Sequence, residues 1–289
     1  MRSRWKFSSA ILVCLFVAVL LFWEGGDRPS APTHTSSILD SLPRADMAAV
    51  FTRSQRWEPI PGIRAAILPH HLTARALIAD LVQQLPKTEP ATIVLLGPDH
   101  QNAGSTFFTS TASDWESGGL HYSIDHALTE RLHEQGIALP NDEVIRQEHS
   151  VLIPMAFLAR QYPQSRFVLL AVRGGFDQAA IQALATELHQ KLGQNDLVIA
   201  SVDFSHYQSL AQAEEEDRQS LRMLEAGNAD VLQTIPADSP ASLAVTMRFA
   251  QLRGASKLTI LQHQNSAQIL GDPALQSTTS YFTAVFSPQ

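Results

Sequence analysis

Cysteine is almost absent. Cys14 is the only one in 289 residues and lies in an apolar stretch near the N-terminus, so the rest of the chain forms no disulfide and offers no thiolate to a metal. Any metal must then be held by His, Asp or Glu, donors that suit iron, zinc, manganese or copper rather than a sulfur-bound cluster. Basic charge is also scarce. The 21 Lys and Arg against 28 Asp and Glu leave a net charge of −7, and no basic cluster accompanies aromatic residues after residue 30. The electrostatic footprint of a nucleic-acid-binding surface is missing.

The N-terminus is the exception. Arg2, Arg4 and Lys6 precede Phe7 to Trp23, with an unbroken apolar run from Ala10 to Trp23 that stops at Glu24-Gly25-Gly26. A positive n-region and an apolar h-region read as an export signal. No small-x-small cleavage site follows, and Val13 before Cys14 does not suit a lipoprotein signal. The reading is an uncleaved signal anchor over residues 1–24, its length of about 17 residues being near the lower limit for a span. The basic end stays in the cytoplasm, which puts the rest on the periplasmic side of a bacterial inner membrane. Secretion after cleavage is the alternative. Residues 25–37 (GGDRPSAPTHTSS) have almost nothing to bury and read as a flexible tether. Residues 38–289 then form a single domain, long enough and, with the whole chain at 45% hydrophobic, apolar enough for a sizeable core.

Along that domain apolar runs alternate with helical spacings. The pattern predicts strands ending at Leu68 and over Thr92–Leu96, Arg166–Val172, Leu197–Ser201, Lys257–Gln262 and Tyr281–Phe286. Helices are expected over Ala74–Leu85, Ile124–Gln135, Val151–Tyr162, Gln178–Leu192, Leu210–Glu225 and Ser242–Arg253. Such alternation implies an α/β fold, a mainly parallel central sheet flanked by helices on both faces.

Four histidines sit where an element gives way to a loop: His70, His100, His149 and His206. The runs Ile63 to His70 and Ala91 to His100 each stop at a proline shortly before the histidine, so both rings lie just past strand C-termini. In an open α/β sheet ligands bind at that edge. Pro69-His70-His71 opens a helix, where a neutral imidazole is favoured, and either histidine could be a ligand or merely cap the turn. Glu148-His149-Ser150 could be a ligand segment or a helix cap. The strand Leu197–Ala200 delivers Asp203 and His206 to one loop, where the carboxylate can fix the imidazole tautomer and make His206 a general base.

These motifs carry a resemblance. Pro-His at the first strand end, Gly97-Pro98-Asp99-His100 at the second, Glu148-His149-Ser150 before a helix and Ser201-Val202-Asp203-Phe204-Ser205-His206 after a later strand resemble the Memo family. That family is related in fold to class III extradiol (LigB-type) dioxygenases. The likeness runs from about residue 63 to 286 and includes Thr278-Thr279-Ser280-Tyr281-Phe282. It implies metal ligands at His70 and His100 and a third where many relatives carry cysteine. Asp238, within Ile235-Pro236-Ala237-Asp238-Ser239-Pro240, stands there, with a helix N-cap as its competing role. Two histidines and a carboxylate imply a divalent ion, Fe(II) foremost, with Zn, Mn or Cu accepted by the same donors. His206, His149 and Asp203 are the implied catalytic residues. Protein partners of an AmmeMemoRadiSam-type system are implied as well; the small-molecule substrate is not.

Departures from the family pattern bear on activity. His70-His71-Leu72-Thr73 replaces a common His-Ala-Gly-Tyr, and Leu152 and Pro154 stand where Glu and His often follow the Glu-His-Ser motif. Three readings follow: a dioxygenase-like oxidoreductase, a metal-dependent hydrolase, and a non-catalytic metal- or partner-binding protein. Elsewhere, His34 falls in the tether, His133 and His189 fall on amphipathic helices, and His121, His126 and His263 lack a supporting motif. The run Glu214-Glu215-Glu216-Asp217 reads as a solvated helix face.

Overall fold

The computed structural model describes residues 32–53 and 58–289. The segment expected to be a signal anchor, residues 1–24, and the first part of the expected tether lie outside the described residues; among the described residues no helix is long and apolar enough to cross a membrane. The segment read as a tether holds regular structure in its described part, because Thr33–Thr35 forms a strand and Ser36 caps a short helix, Ser37–Asp40, by accepting from the Ile38 amide at 3.2 Å.

The described strands are β1 (Thr33–Thr35), β2 (Ala65–Leu68), β3 (Thr92–Pro98), β4 (Phe108–Ser110), β5 (Asp114–Ser117), β6 (Leu120–Tyr122), β7 (Ala138–Pro140), β8 (Arg166–Val172), β9 (Leu197–Ser201), β10 (Lys257–Asn265) and β11 (Ser280–Ser287). β1, β5 and β6 make a small sheet. The other eight form one sheet of order β10-β11-β2-β9-β3-β8-β4-β7. Its four central strands, β2, β9, β3 and β8, are parallel, but β11 runs antiparallel to both β2 and β10, and β4 antiparallel to β8. The sheet is therefore mixed, and the expected parallel pairing holds for its centre and for β4 with β7 at one edge. The cause is in the connections: β10 leads to β11 through one short helix and a turn, with no crossover long enough to restore direction.

The central strands are aliphatic on both faces because both faces are covered. Ala65, Ile67, Val94 and Leu96 pack with Leu184 and Leu243 of helices Gln178–Lys191 and Pro240–Leu252. Ala66, Leu68, Ile93 and Leu95 pack on the other side with Ile78 and Met155 of helices Arg75–Gln84 and His149–Gln161. Leu152 belongs to this second layer and is fully buried. A polar residue there would have to be buried in the core.

Gly97 sets the distance between β3 and helix His149–Gln161. A Cβ at this position would lie 2.4 Å from Ser150 Oγ and 3.1 Å from the Ser150 carbonyl carbon, and Ser150 is pinned by donating to the Pro98 carbonyl at 2.8 Å. Gly97→Ala is expected to cost about 1–3 kcal/mol by overpacking. The check is a lower urea midpoint at unchanged m-value.

Candidate metal centre

β2, β9 and β3 are adjacent and parallel, so their C-terminal ends open at one edge, where they deliver His70, Asp203 with His206, and His100. Two helix starts complete the cluster. His149 is the first residue of helix His149–Gln161, and Asp238 lies two residues before helix Pro240–Leu252.

Asp238 is not the cap of its helix: Ser239 holds that position and Pro240 follows at the first turn. Its backbone is instead locked to the β9 loop. The Asp238 amide donates to the Asp203 carbonyl at 3.0 Å, and the Asp203 amide donates to Asp238 Oδ2 at 3.3 Å. That exchange turns the carboxylate toward His70, whose Nε2 is 3.4 Å from Asp238 Oδ2 and 3.7 Å from Asp203 Oδ2. His70 is completely buried, and among the described residues its Nε2 makes no hydrogen bond and Asp238 Oδ1 also lacks one. Burial pushes the His70 imidazole down to about 3, so it is neutral and offers a lone pair at ordinary pH. One donor atom each from His70, His100 and Asp238 lies within 4.8 Å of the others. Further sets within the same spacing are His70, His71 and His149; His100, Glu148 and His149; and Asp203, His206 and Asp238.

Glu148 does two jobs. Its side chain caps the helix by accepting from the Ser150 amide at 3.0 Å, and it grips His100 through the backbone amide at 2.9 Å and ring Nδ1 at 2.8 Å. Burial works against its charge, yet the bonds from His100 and Ser150 hold the carboxyl below its usual range. With Nδ1 engaged, His100 is left to offer Nε2. The His149 ring stacks on His100 at 4.3 Å, and burial followed by the charge of His100 lowers its pKa.

Asp203 is paired differently from the expectation. Its carboxylate holds the His70 amide at 3.1 Å and stands 2.8 Å from His71 Nδ1, whereas His206 has Asp238 as its near carboxylate, at 3.7 Å. Asp203 precedes His206 by three residues but points back across β9 to the β2 loop. Contact with Asp203 raises the His71 imidazole; burial lowers that of His206.

Residues 44–285 match the family model for Memo-like proteins. The chain belongs to that family. A MEMO1 family protein of Methanopyrus kandleri is 28% identical over 193 residues, 63% of this chain and 68% of that protein. Another, from Methanosarcina barkeri, is 28% identical over 227 residues, 73% of this chain and 82% of that protein. An uncharacterized protein from Escherichia coli K12 of known crystal structure aligns with a TM-score of 0.48 and 16% identity, over 76% of this chain and 99% of that one.

In this Memo-like chain the six residues expected at the site, His70, His100, His149, Asp203, His206 and Asp238, all gather at one edge. His71 and Glu148 join them as partners whose roles no local spacing revealed. His34, His121 and His126 do not: His34 lies 3.2 Å from Asp142, and His121 and His126 both face Asp114. Asp217, read as part of a solvated face, is buried and accepts from Ser205 Oγ at 2.9 Å and Ser280 Oγ at 2.7 Å, with His263 Nε2 2.7 Å away.

Proposed function

We propose that this Memo-like protein is a non-haem metal protein whose site resembles that of class III extradiol dioxygenases, with a divalent ion, Fe(II) foremost, held by His70, His100 and Asp238. The observation that supports it above the others is the buried, unpartnered Nε2 of His70 facing Asp238. A buried polar atom without a partner costs about 1–3 kcal/mol, and a bound cation removes that cost. Such an ion, held by these residues, would supply Lewis acidity to a bound substrate.

The chain's own residues do the rest. Glu148 fixes the His100 tautomer, and Asp203 orients His70 and His71. His149 and His206, both shifted toward the neutral form, accept protons from substrate hydroxyls. We read the apolar run Ala10–Trp23 as tethering this site to the bacterial inner membrane, on the periplasmic side.

The test is metal content by mass spectrometry on the whole chain, made without a His tag and purified anaerobically, beside a His70→Ala, His100→Ala double variant. Near-stoichiometric iron in the first and none in the second is the expected result. Zinc or manganese with the same dependence would keep the site and replace Fe(II) as its ion, with zinc favouring the hydrolase reading. Absence of metal from both folded proteins, after supplementation, would overturn the reading.

A further inference from the structure

A cavity of about 500 Å³ lies on the helix that begins with His149, but toward that helix's other end. Ala156, Ala159 and Arg160 face it, at i, i+3 and i+4 on one side of the helix and roughly 10–16 Å along the axis from His149. Its volume is in the range of small-molecule pockets.

The walls divide by chemistry. Leu39, Leu42, Met47, Ala156 and Ala159 give an apolar floor, while Arg44, Arg160 and Tyr122 bring hydrogen-bond donors. Among the described residues no Asp or Glu lines the cavity, although the chain as a whole carries a net charge of −7. The carboxylates of the adjoining hairpin are engaged, with Asp114 3.3 Å and Glu116 3.6 Å from ring nitrogens of His121.

The donors are held ready. Arg44 donates to the Gly118 carbonyl at 2.7 Å and to Ser117 Oγ at 2.8 Å, which uses two of its five N–H groups. Ser117 Oγ in turn donates to Asp40 at 2.7 Å. Gly118 has φ +51°, and a Cβ there would come within 2.1 Å of Arg44 Cζ, so the missing side chain is what lets the guanidinium lie against the backbone. Arg160 stands 5.4 Å over the Phe51 ring and makes no ion pair with a described residue. Tyr122 is 3% exposed, and its hydroxyl makes no hydrogen bond among the described residues.

We propose that this cavity binds an amphipathic monoanion, a medium-chain carboxylate whose head group meets Arg44, Arg160 and Tyr122 while its chain lies on the Leu39, Met47 and Ala159 floor. Charge complementarity selects the anion: two guanidiniums beside an apolar surface, with no carboxylate among the described lining residues, disfavour a cation, and a neutral lipid would leave both guanidiniums without a counter-charge. The site is separate from the metal centre.

The test is calorimetric titration of the full chain with sodium decanoate and, separately, decanol. Decanoate is expected to bind at least tenfold more tightly than decanol. Ala159→Trp, which fills the floor, weakens both at least tenfold; Arg160→Ala weakens decanoate about tenfold and leaves decanol unchanged. Binding by the apolar run Ala10–Trp23 is common to all these proteins and cancels when each variant is compared with the wild type for the same probe. Metal content stays at the wild-type level in both variants, which separates this site from the metal centre. Equal affinity of the wild type for the two probes, binding of neither, or decanoate affinity unchanged in Ala159→Trp overturns the proposal. Should Ala159→Trp fail to fold, the decanoate-to-decanol ratio in Arg160→Ala still decides it.

Discussion

Fe(II) in a hundredfold excess over its dissociation constant is expected to raise the melting temperature of the folded chain by roughly 5–11 °C, read by circular dichroism under anaerobic conditions. An ion that binds only the folded state adds RT ln(1 + [L]/Kd), about 2.7 kcal/mol at that excess. Each kcal/mol moves the midpoint by about 2–4 °C in a chain of this size. The donors are already gathered, since one atom each from His70, His100 and Asp238 lies within 4.8 Å of the others, so little binding energy is spent on assembling them. The His70→Ala, His100→Ala variant should show no shift. Glu148→Gln should reach the same shift only at about 10- to 100-fold more metal, because it weakens the group that orients His100. An equal shift in the double variant would place the ion elsewhere.

What was legible in the sequence was whatever depends on local pattern. The aliphatic runs into Leu68 and from Thr92 to Leu96 named β2 and β3, and the proline before each histidine put His70 and His100 past their ends. The six helices expected lie within a residue or two of those observed, although helix His149–Gln161 begins two residues before its apolar spacing does, because Glu148 caps it; helix Arg44–Arg53 and the short helices Ser37–Asp40, Asp142–Arg146 and Ser266–Leu270 were not expected. Strands of three or four residues such as β4, β5 and β7 carry too few residues for a period. The direction of β4 and β11 depends on connection length and pairing, which hydrophobicity does not encode.

The site divides the same way. His70, His100, His149 and His206 announced themselves by position at element ends. Which carboxylate serves which imidazole did not, since that is settled by side-chain direction across strands. Asp203 turns to His71 and the His70 amide rather than to His206 three residues away. Glu148 reaches His100 across 48 residues of sequence. Asp217 looked solvated as the last of four acids, yet it falls on the inward side of its helix, where Ser205, Ser280 and His263 surround it.

Asp238→Asn is expected to abolish metal binding and at the same time stabilise the metal-free protein at neutral and alkaline pH. Burial, and then the charge of Asp203, holds the Asp238 carboxyl well above its usual range, whereas in the unfolded chain it titrates near about 3.9. Between those two values the folded state keeps a proton that the unfolded state has lost. The stability this group contributes is thus fully present below about 3.9 and disappears as pH rises through the raised folded value. Above it the wild-type apo-protein carries an ionised Asp238 beside ionised Asp203, a cost the amide lacks. Urea unfolding of the two metal-free proteins should therefore favour the variant at pH 8 and converge below about pH 4. Metal loading of the wild type must expel the same proton, so its affinity should fall about tenfold per pH unit once pH drops below the Asp238 value. His70 does not add to that slope above about pH 3, where it is already neutral. Greater stability of the wild-type apo-protein at pH 8 would mean that Asp238 is not a strained charge waiting for a cation, and metal retained by the variant would give the third ligand position to another carboxylate, Asp203 being the nearest.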